Sequence, residues 1–176
     1  MDAILATIND FSTVAIDGKL PWFDYPELKR RDMQFFKDKT KGRDIVVGRK
    51  TWEIDLKCTP LKNRGTHYVV TSGNVDGDCI QVKPDISEIM ERCAGAVCIG
   101  GAHLYSMLLP HCNNIFWTYY TIPNVMLKYF AKEVIQIKEP LNEIFERCNF
   151  HYSTLEPCSV KIVDDAMCNF YTFTKI

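Results

Sequence analysis

Apolar positions along the chain fall into two periods, and the switches between them lay out the elements. Short apolar runs at 4–8, 44–48, 67–71 and 96–99 predict buried strands, too brief for helices, and the aromatic run 114–121 predicts another. Helical spacing of about 3.6 residues predicts helices at 25–40, 85–93 and 102–109, the last stopped by Pro110. In the tail, 159–163 and 168–175 read as an antiparallel hairpin joined through Asp164-Asp165. Strand alternating with helix predicts an α/β fold. The expected architecture is a single domain over 1–176 with a mostly parallel central sheet, helices on both faces and an antiparallel C-terminal hairpin. Residues 9–19, with turn signals at Asn9-Asp10 and Asp17-Gly18, form a long connection that predicts either a lid or a plain surface excursion.

One position breaks the pattern. In the helix 25–40, Asp32 projects on the same side as Leu28, Phe35 and Phe36, while Arg30, Lys37 and Asp38 fall on the other. An unpaired carboxylate costs several kcal/mol to bury, so an acid in an apolar stripe implies a protonated or cationic partner. Two readings stand: a structural ion pair with Arg31 or a distant Arg, or an acid that waits for a ligand. Asp24 and Glu27 have the spacing of a capping box and are expected to cap this helix. Asp85 and Glu88 repeat that spacing at the start of 85–93.

Composition narrows the partners. The chain has 176 residues, 47% hydrophobic and 24% charged, with a formal net charge of −1. That suits one compact domain, argues against disorder and supplies no basic field for nucleic acid or an anionic membrane. A small anionic ligand held by a local arrangement fits better. An acid rather than a basic flank near the N-terminus, and no apolar run long enough to span a bilayer, predict a cytoplasmic protein. The eight cysteines include no C-x-x-C pair and are read as free thiols, and His103 with His111-Cys112 does not have the spacing of known metal sites, so no metal is expected.

Two strand-to-helix corners carry anion-binding chemistry. Gly48 allows a tight turn before Arg49, Lys50 and Thr51, and Gly100-Gly101 precedes Ala102 and His103, each followed by a helix start whose N–H groups attract phosphate. Both corners lie at carboxyl ends of predicted parallel strands, where such sheets bind ligands, and are placed to hold the two halves of one dinucleotide. Taken alone, each is also ordinary turn geometry. There is no G-x-G-x-x-G, which argues against a standard Rossmann module. Arg49, Thr71, Ser72 and His103 add anion partners that suit the additional phosphate of NADPH.

With these residues in place, the chain resembles the dihydrofolate reductase family. The resemblance runs through Gly18-Lys19-Leu20-Pro21-Trp22, Asp32, Gly48-Arg49-Lys50-Thr51-Trp52, Arg64, Ile99-Gly100-Gly101, Tyr105 and Thr118, in family order over most of the chain. It implies reduction of 7,8-dihydrofolate to 5,6,7,8-tetrahydrofolate by hydride transfer from NADPH to C6 with protonation at N5. Asp32 would be the active-site acid, supported by Trp22 through an ordered water and by Thr118 through a direct hydrogen bond. Leu5, Met33, Phe36, Leu61 and Ile99 would wall the substrate, and Arg64 would grip its glutamate α-carboxylate. Ala6, Leu20, Gly48, Arg49, Lys50, Thr51, Thr71, Ser72, Gly100, Gly101, Ala102, His103 and Tyr105 would hold the cofactor, with a cis Gly100–Gly101 bond. The chain departs from the family pattern at Ala15, Ala102 and Leu127 and at Lys62-Asn63. Alternatives are a related-fold reductase of another heterocycle, such as a riboflavin-pathway pyrimidine, and a non-catalytic nucleotide-binding or assembly component. A monomer is the default expectation.

Overall fold

A computed structural model describes residues 1–122, 133–156 and 167–176, with 153–156 described as backbone. An eight-stranded sheet organises it. The strands are β1 (Asp2–Ile8), β3 (Ile45–Gly48), β4 (His67–Val70), β5 (Ile80–Val82), β6 (Val97–Cys98), β7 (Asn114–Thr121), β9 (Phe150–Glu156) and β10 (Met167–Lys175), in the order β5-β4-β3-β6-β1-β7-β10-β9. β5 through β7 run parallel, while β10 is antiparallel to both β7 and β9.

The hairpin expected in the tail is present with a different first strand. β10 matches the predicted 168–175, but its partner is β9, and the predicted strand 159–163 lies outside the described residues. The connection 9–19 also contains a strand, β2 (Thr13–Ile16), which pairs antiparallel with β8 (Val134–Gln136) as a separate ribbon. Ala15 sits in it, opposite Ile135. Asp10 anchors its start by accepting from the backbone N–H of Ser12 and Thr13 and from the Thr13 hydroxyl. Burial alone would raise the Asp10 carboxyl, but the bonds from Thr13 and Ser12 outweigh it and hold the group below its ordinary value. Leu127 lies outside the described residues.

Helices α1 (Pro26–Thr40), α2 (Ile86–Arg92), α3 (Ala102–Leu108) and α4 (Leu141–Arg147) flank the sheet. Pro at the first position starts α1 because its missing N–H is one that no helix bond needs. The expected capping box is not formed there. Asp24 closes a preceding 3₁₀ turn, Pro21–Asp24, and Glu27 bonds Arg30 and Arg31, which hold its carboxyl down to about 2. At α2 the expected cap does form, with Asp85 accepting from the Glu88 N–H at 2.9 Å.

The sheet divides the core into two layers. On one face Ile4, Ile8, Trp22, Leu28, Phe35, Trp52 and Tyr120 pack under α1. On the other, Leu5, Leu104, Leu108, Trp117, Ile144 and Phe145 pack beneath α3 and α4. Alternation along β7 sends Trp117 into the second layer and Tyr120 into the first.

Candidate active site

The site grows from the first layer, where Asp32 of α1 lies beside Tyr120 near the carboxyl end of β7. Leu20-Pro21-Trp22 leads into the 3₁₀ turn, and that turn drops the Trp22 indole into the core at 2% exposure. There it stacks on Tyr120 with ring centroids 4.4 Å apart and planes 12° from parallel. Its Nε1–H donates to Oδ2 of Asp32 at 3.1 Å.

Asp32 is half-buried as a residue, and its carboxyl sits deep among protein atoms. Burial is the dominant influence and pushes the carboxyl up to about 6, against smaller opposing effects of the Trp22 and Tyr120 side chains. Arg31 bonds Glu27 instead, so the pairing with Arg31 considered from the sequence is not formed. Among the described residues, the side chains that bond or act on the acid, Trp22 and Tyr120, are neutral, where a structural ion pair would have a cation. Such a carboxyl can hold a proton near neutral pH and pass it to a basic atom in the cleft.

Two supporting roles differ from expectation. Trp22 reaches Asp32 directly, without needing an intervening water. Thr118 is buried and paired with Ala6 across β1 and β7, and among the described residues it makes no direct hydrogen bond to the acid. Two residues on, Tyr120 takes that place. Its hydroxyl is buried beside Asp32 but closes no hydrogen bond of good geometry, and burial followed by the Asp32 charge drives its ionisation far above the ordinary range. Sequence reasoning missed Tyr120, although alternation puts it on the same face of β7 as Thr118.

The apolar residues divide between the layers. Phe36 and Ile99 pack against the Asp32 side, and Met33 is 44% exposed on α1. Leu5 does not join them; its side chain lies in the opposite layer. Leu61 is half-buried in the loop before β4. Arg64, three residues on, donates through Nε and Nη2 to Thr40 Oγ1 at 3.1 and 2.7 Å and through Nη1 to the Lys62 carbonyl, with its guanidinium 5.8 Å from the Phe36 ring. These bonds use three of its five N–H groups and leave one N–H on each terminal nitrogen for a further acceptor.

The two glycine corners meet. Gly48 N–H donates to the Gly100 carbonyl at 2.6 Å, and Thr51 Oγ1 lies where a Cβ on Gly101 would be 3.2 Å away. The Gly100–Gly101 bond is cis. Gly100 has φ +105°, and a Cβ there would come within 2.8 Å of the Tyr105 ring, so only glycine fits. Tyr105 is buried and donates its hydroxyl to the Ile4 carbonyl at 2.7 Å. Arg49 and Lys50 are exposed on a helical turn that passes into a π-helical segment, Thr51–Asp55. At the end of β4, Thr71 Oγ1 accepts from Gly73 N–H, Ser72 is exposed, and a Cβ on Gly73 would lie 3.3 Å from an Arg49 terminal nitrogen. Ala102 and His103 open α3, and Ala6 and Leu20 lie on β1 and ahead of the Trp22 turn.

Among the described residues no cluster of three His, Cys, Asp or Glu is placed to hold a metal. A separate concavity of about 680 Å³, lined by residues including Met107, His111, Cys148 and Lys175, contains none of the site residues.

Fold and site define an α/β protein with a desolvated acid, Asp32, on the helix over a largely parallel sheet and with paired glycine corners. The family model described as dihydrofolate reductase matches residues 2–126. The dihydrofolate reductase of Buchnera aphidicola subsp. Acyrthosiphon pisum is 30% identical over 133 residues, covering 74% of this chain and 78% of that protein. That of Bacillus subtilis is 30% identical over 105 residues, 58% of each chain. A solved structure of Enterococcus faecalis dihydrofolate reductase, complexed with NADP(H) and RAB-propyl, shares the fold with a TM-score of 0.75 at 23% identity, over 99% of this chain and 95% of that one. The chain belongs to the dihydrofolate reductase family.

Proposed function

We propose that the protein reduces 7,8-dihydrofolate to 5,6,7,8-tetrahydrofolate with NADPH and that Asp32 is its acid. The observation that carries the reading is the buried carboxyl of Asp32, raised to about 6 and held by Trp22, with no cation paired to it among the described residues. Family membership supplies the reaction class, and this acid supplies the proton chemistry the reaction needs.

The glycine corners fit a dinucleotide, because Gly48, Gly100 and Gly101 bring backbone together where side chains would block approach, and the exposed Arg49 and Lys50 flank them. Gly48, Arg49, Lys50, Thr51, Thr71, Ser72, Gly100, Gly101, Ala102 and His103 would hold its phosphates and ribose, with Arg49, Thr71 and Ser72 nearest the additional phosphate. Tyr105 supports the corner from beneath, and Ala6 and Leu20 border the reactive ring. When bound, the cofactor supplies the hydride.

The remaining steps belong to the chain. Asp32 anchors the pterin by hydrogen bonding and provides the proton needed at N5, while Trp22 fixes the carboxyl's orientation. Met33, Phe36, Leu61 and Ile99 enclose the aromatic body of the substrate and exclude water. Arg64 takes the glutamate α-carboxylate through its remaining N–H groups. We further propose a cytoplasmic monomer with one domain over 1–176; the free thiols of Cys58, Cys79, Cys93, Cys98, Cys112 and Cys148 fit a reducing compartment.

Replacing Asp32 with Asn tests the assignment. Turnover of dihydrofolate should collapse while NADPH binding persists, and undiminished turnover would remove Asp32 from the proposed role.

A further inference from the structure

We propose that His67 is a positioning residue for the substrate's aminobenzoyl-glutamate end, because its ring clamps the two ends of the loop that carries Leu61 and Arg64. The inference rests on the proposed folate reading and deepens it by assigning a residue outside the site as first drawn.

His67 opens β4 and is 2% exposed. Its Nδ1 lies 3.1 Å from the Gly65 carbonyl oxygen, and its Nε2 lies 3.0 Å from the backbone nitrogen of Leu61. A carbonyl only accepts and a backbone N–H only donates. The ring is therefore the neutral tautomer with its proton on Nδ1 and its lone pair on Nε2. The Trp52 ring backs it, with centroids 5.9 Å apart.

The clamped segment has no regular structure of its own and includes Asn63 at φ +59°. Other ties hold its far side: Gly42 N–H to the Asn63 carbonyl, Gly65 N–H to the Arg43 carbonyl, and Thr66 N–H to Asp44 Oδ1. A Cβ on Gly65 would collide with Asp44, so the chain at this corner has no slack. Among the described residues, the backbone N–H of Leu61 is tied by His67. Without that bond, the stretch that sets Leu61 against the substrate and aims the Arg64 guanidinium would lose its anchor.

The clamp is sensitive to protonation. Burial and the Arg64 cation disfavour the charged ring, while the Gly65 carbonyl and the Asp44 and Asp78 carboxylates favour it; the balance lies below the ordinary histidine value. A second proton would occupy Nε2, remove the acceptor and set two N–H groups against each other. The clamp is thus present above about pH 6.5 and is lost as pH falls through the lower folded value.

The test compares two substrates: dihydrofolate, and 6-methyl-7,8-dihydropterin, which lacks the aminobenzoyl-glutamate end. In His67→Leu, KM for dihydrofolate should rise roughly tenfold, while kcat, the KM for NADPH and kcat/KM for the dihydropterin stay unchanged. In the unmodified protein, the ratio of the dihydrofolate KM to the dihydropterin KM should climb as pH falls below about 6.5 and through the lower folded value of His67, and in His67→Leu it should be high and flat. Asp32 titrates against both substrates and cancels in the ratio. A His67→Leu protein that binds NADPH normally and keeps its dihydrofolate KM overturns the inference. If that variant does not fold, a flat ratio in the unmodified protein overturns it alone. No turnover of either substrate by the unmodified protein instead overturns the folate reading itself.

Discussion

Trp22 and Asp32, ten residues apart, meet through an indole N–H donated to a carboxylate oxygen at 3.1 Å, with the Tyr120 ring stacked on the indole. One side chain thus packs the core and orients the acid, and any change at Trp22 acts on both. The bond favours the ionised carboxyl. Trp22→Phe should therefore raise the Asp32 pKa further and move the alkaline fall of the pH–rate profile to higher pH, measured as kcat/KM against pH.

Asp32 itself carries a stability cost. Its folded value of about 6 lies above the ordinary 3.8, so between these the folded protein binds more protons than the unfolded chain, and stability falls as pH rises through that window. The shift corresponds to about 3 kcal/mol, fully expressed above pH 6. Asp32→Asn should then unfold at higher urea concentration than the parent at pH 7.5, with the advantage shrinking toward pH 4. The same variant should lose roughly 10²- to 10⁴-fold in turnover.

Tyr120→Phe separates support from packing. The hydroxyl is buried without a well-formed partner, so its removal should leave stability unchanged or slightly improved in urea titration. Removing the phenol from beside Asp32 should shift the pH–rate profile upward, as at Trp22 but without loss of the stacked ring.

Gly100→Ala should be severe. The added Cβ meets the Tyr105 ring at 2.8 Å on a backbone with φ +105°, a combination expected to cost about 2 kcal/mol or more. NADPH affinity, followed by fluorescence, should fall with it, whereas Gly95→Ala, at φ +85° with nothing within 4 Å, should show only the backbone cost.

Much of this site was legible because its residues break local rules. An acid in an apolar stripe and paired glycines at a strand end conflict with simple packing, and those conflicts located Asp32 and Gly100-Gly101, whereas Arg64 was reached only through the family resemblance. Choices between equivalent positions were not legible. Thr118 and Tyr120 share a face of β7, and their spacing does not say which side chain lies at Asp32. Leu5 and Ile4 are neighbours on opposite faces, and only the sheet's placement decides which one looks toward α1. Asp24 and Glu27 have cap spacing, but Arg30 and Arg31 take the Glu27 carboxylate and the 3₁₀ turn occupies Asp24. β2 and β8 are short strands that stabilise each other across more than a hundred residues, a pairing with no local signal.

Arg64 tests the substrate end. Arg64→Leu should raise KM for dihydrofolate by roughly 30- to 100-fold, the effect of losing a charge-assisted pair, and leave the KM for NADPH in place. Steady-state kinetics with each substrate varied in turn distinguishes the two.

The most direct measurement is the loss of NADPH absorbance when purified protein meets dihydrofolate, with Asp32→Asn run in parallel. The account predicts steady oxidation by the parent and near-silence from the variant despite retained NADPH binding. A parent that binds NADPH without oxidising it in the presence of dihydrofolate, or a variant that turns over as fast as the parent, would contradict it.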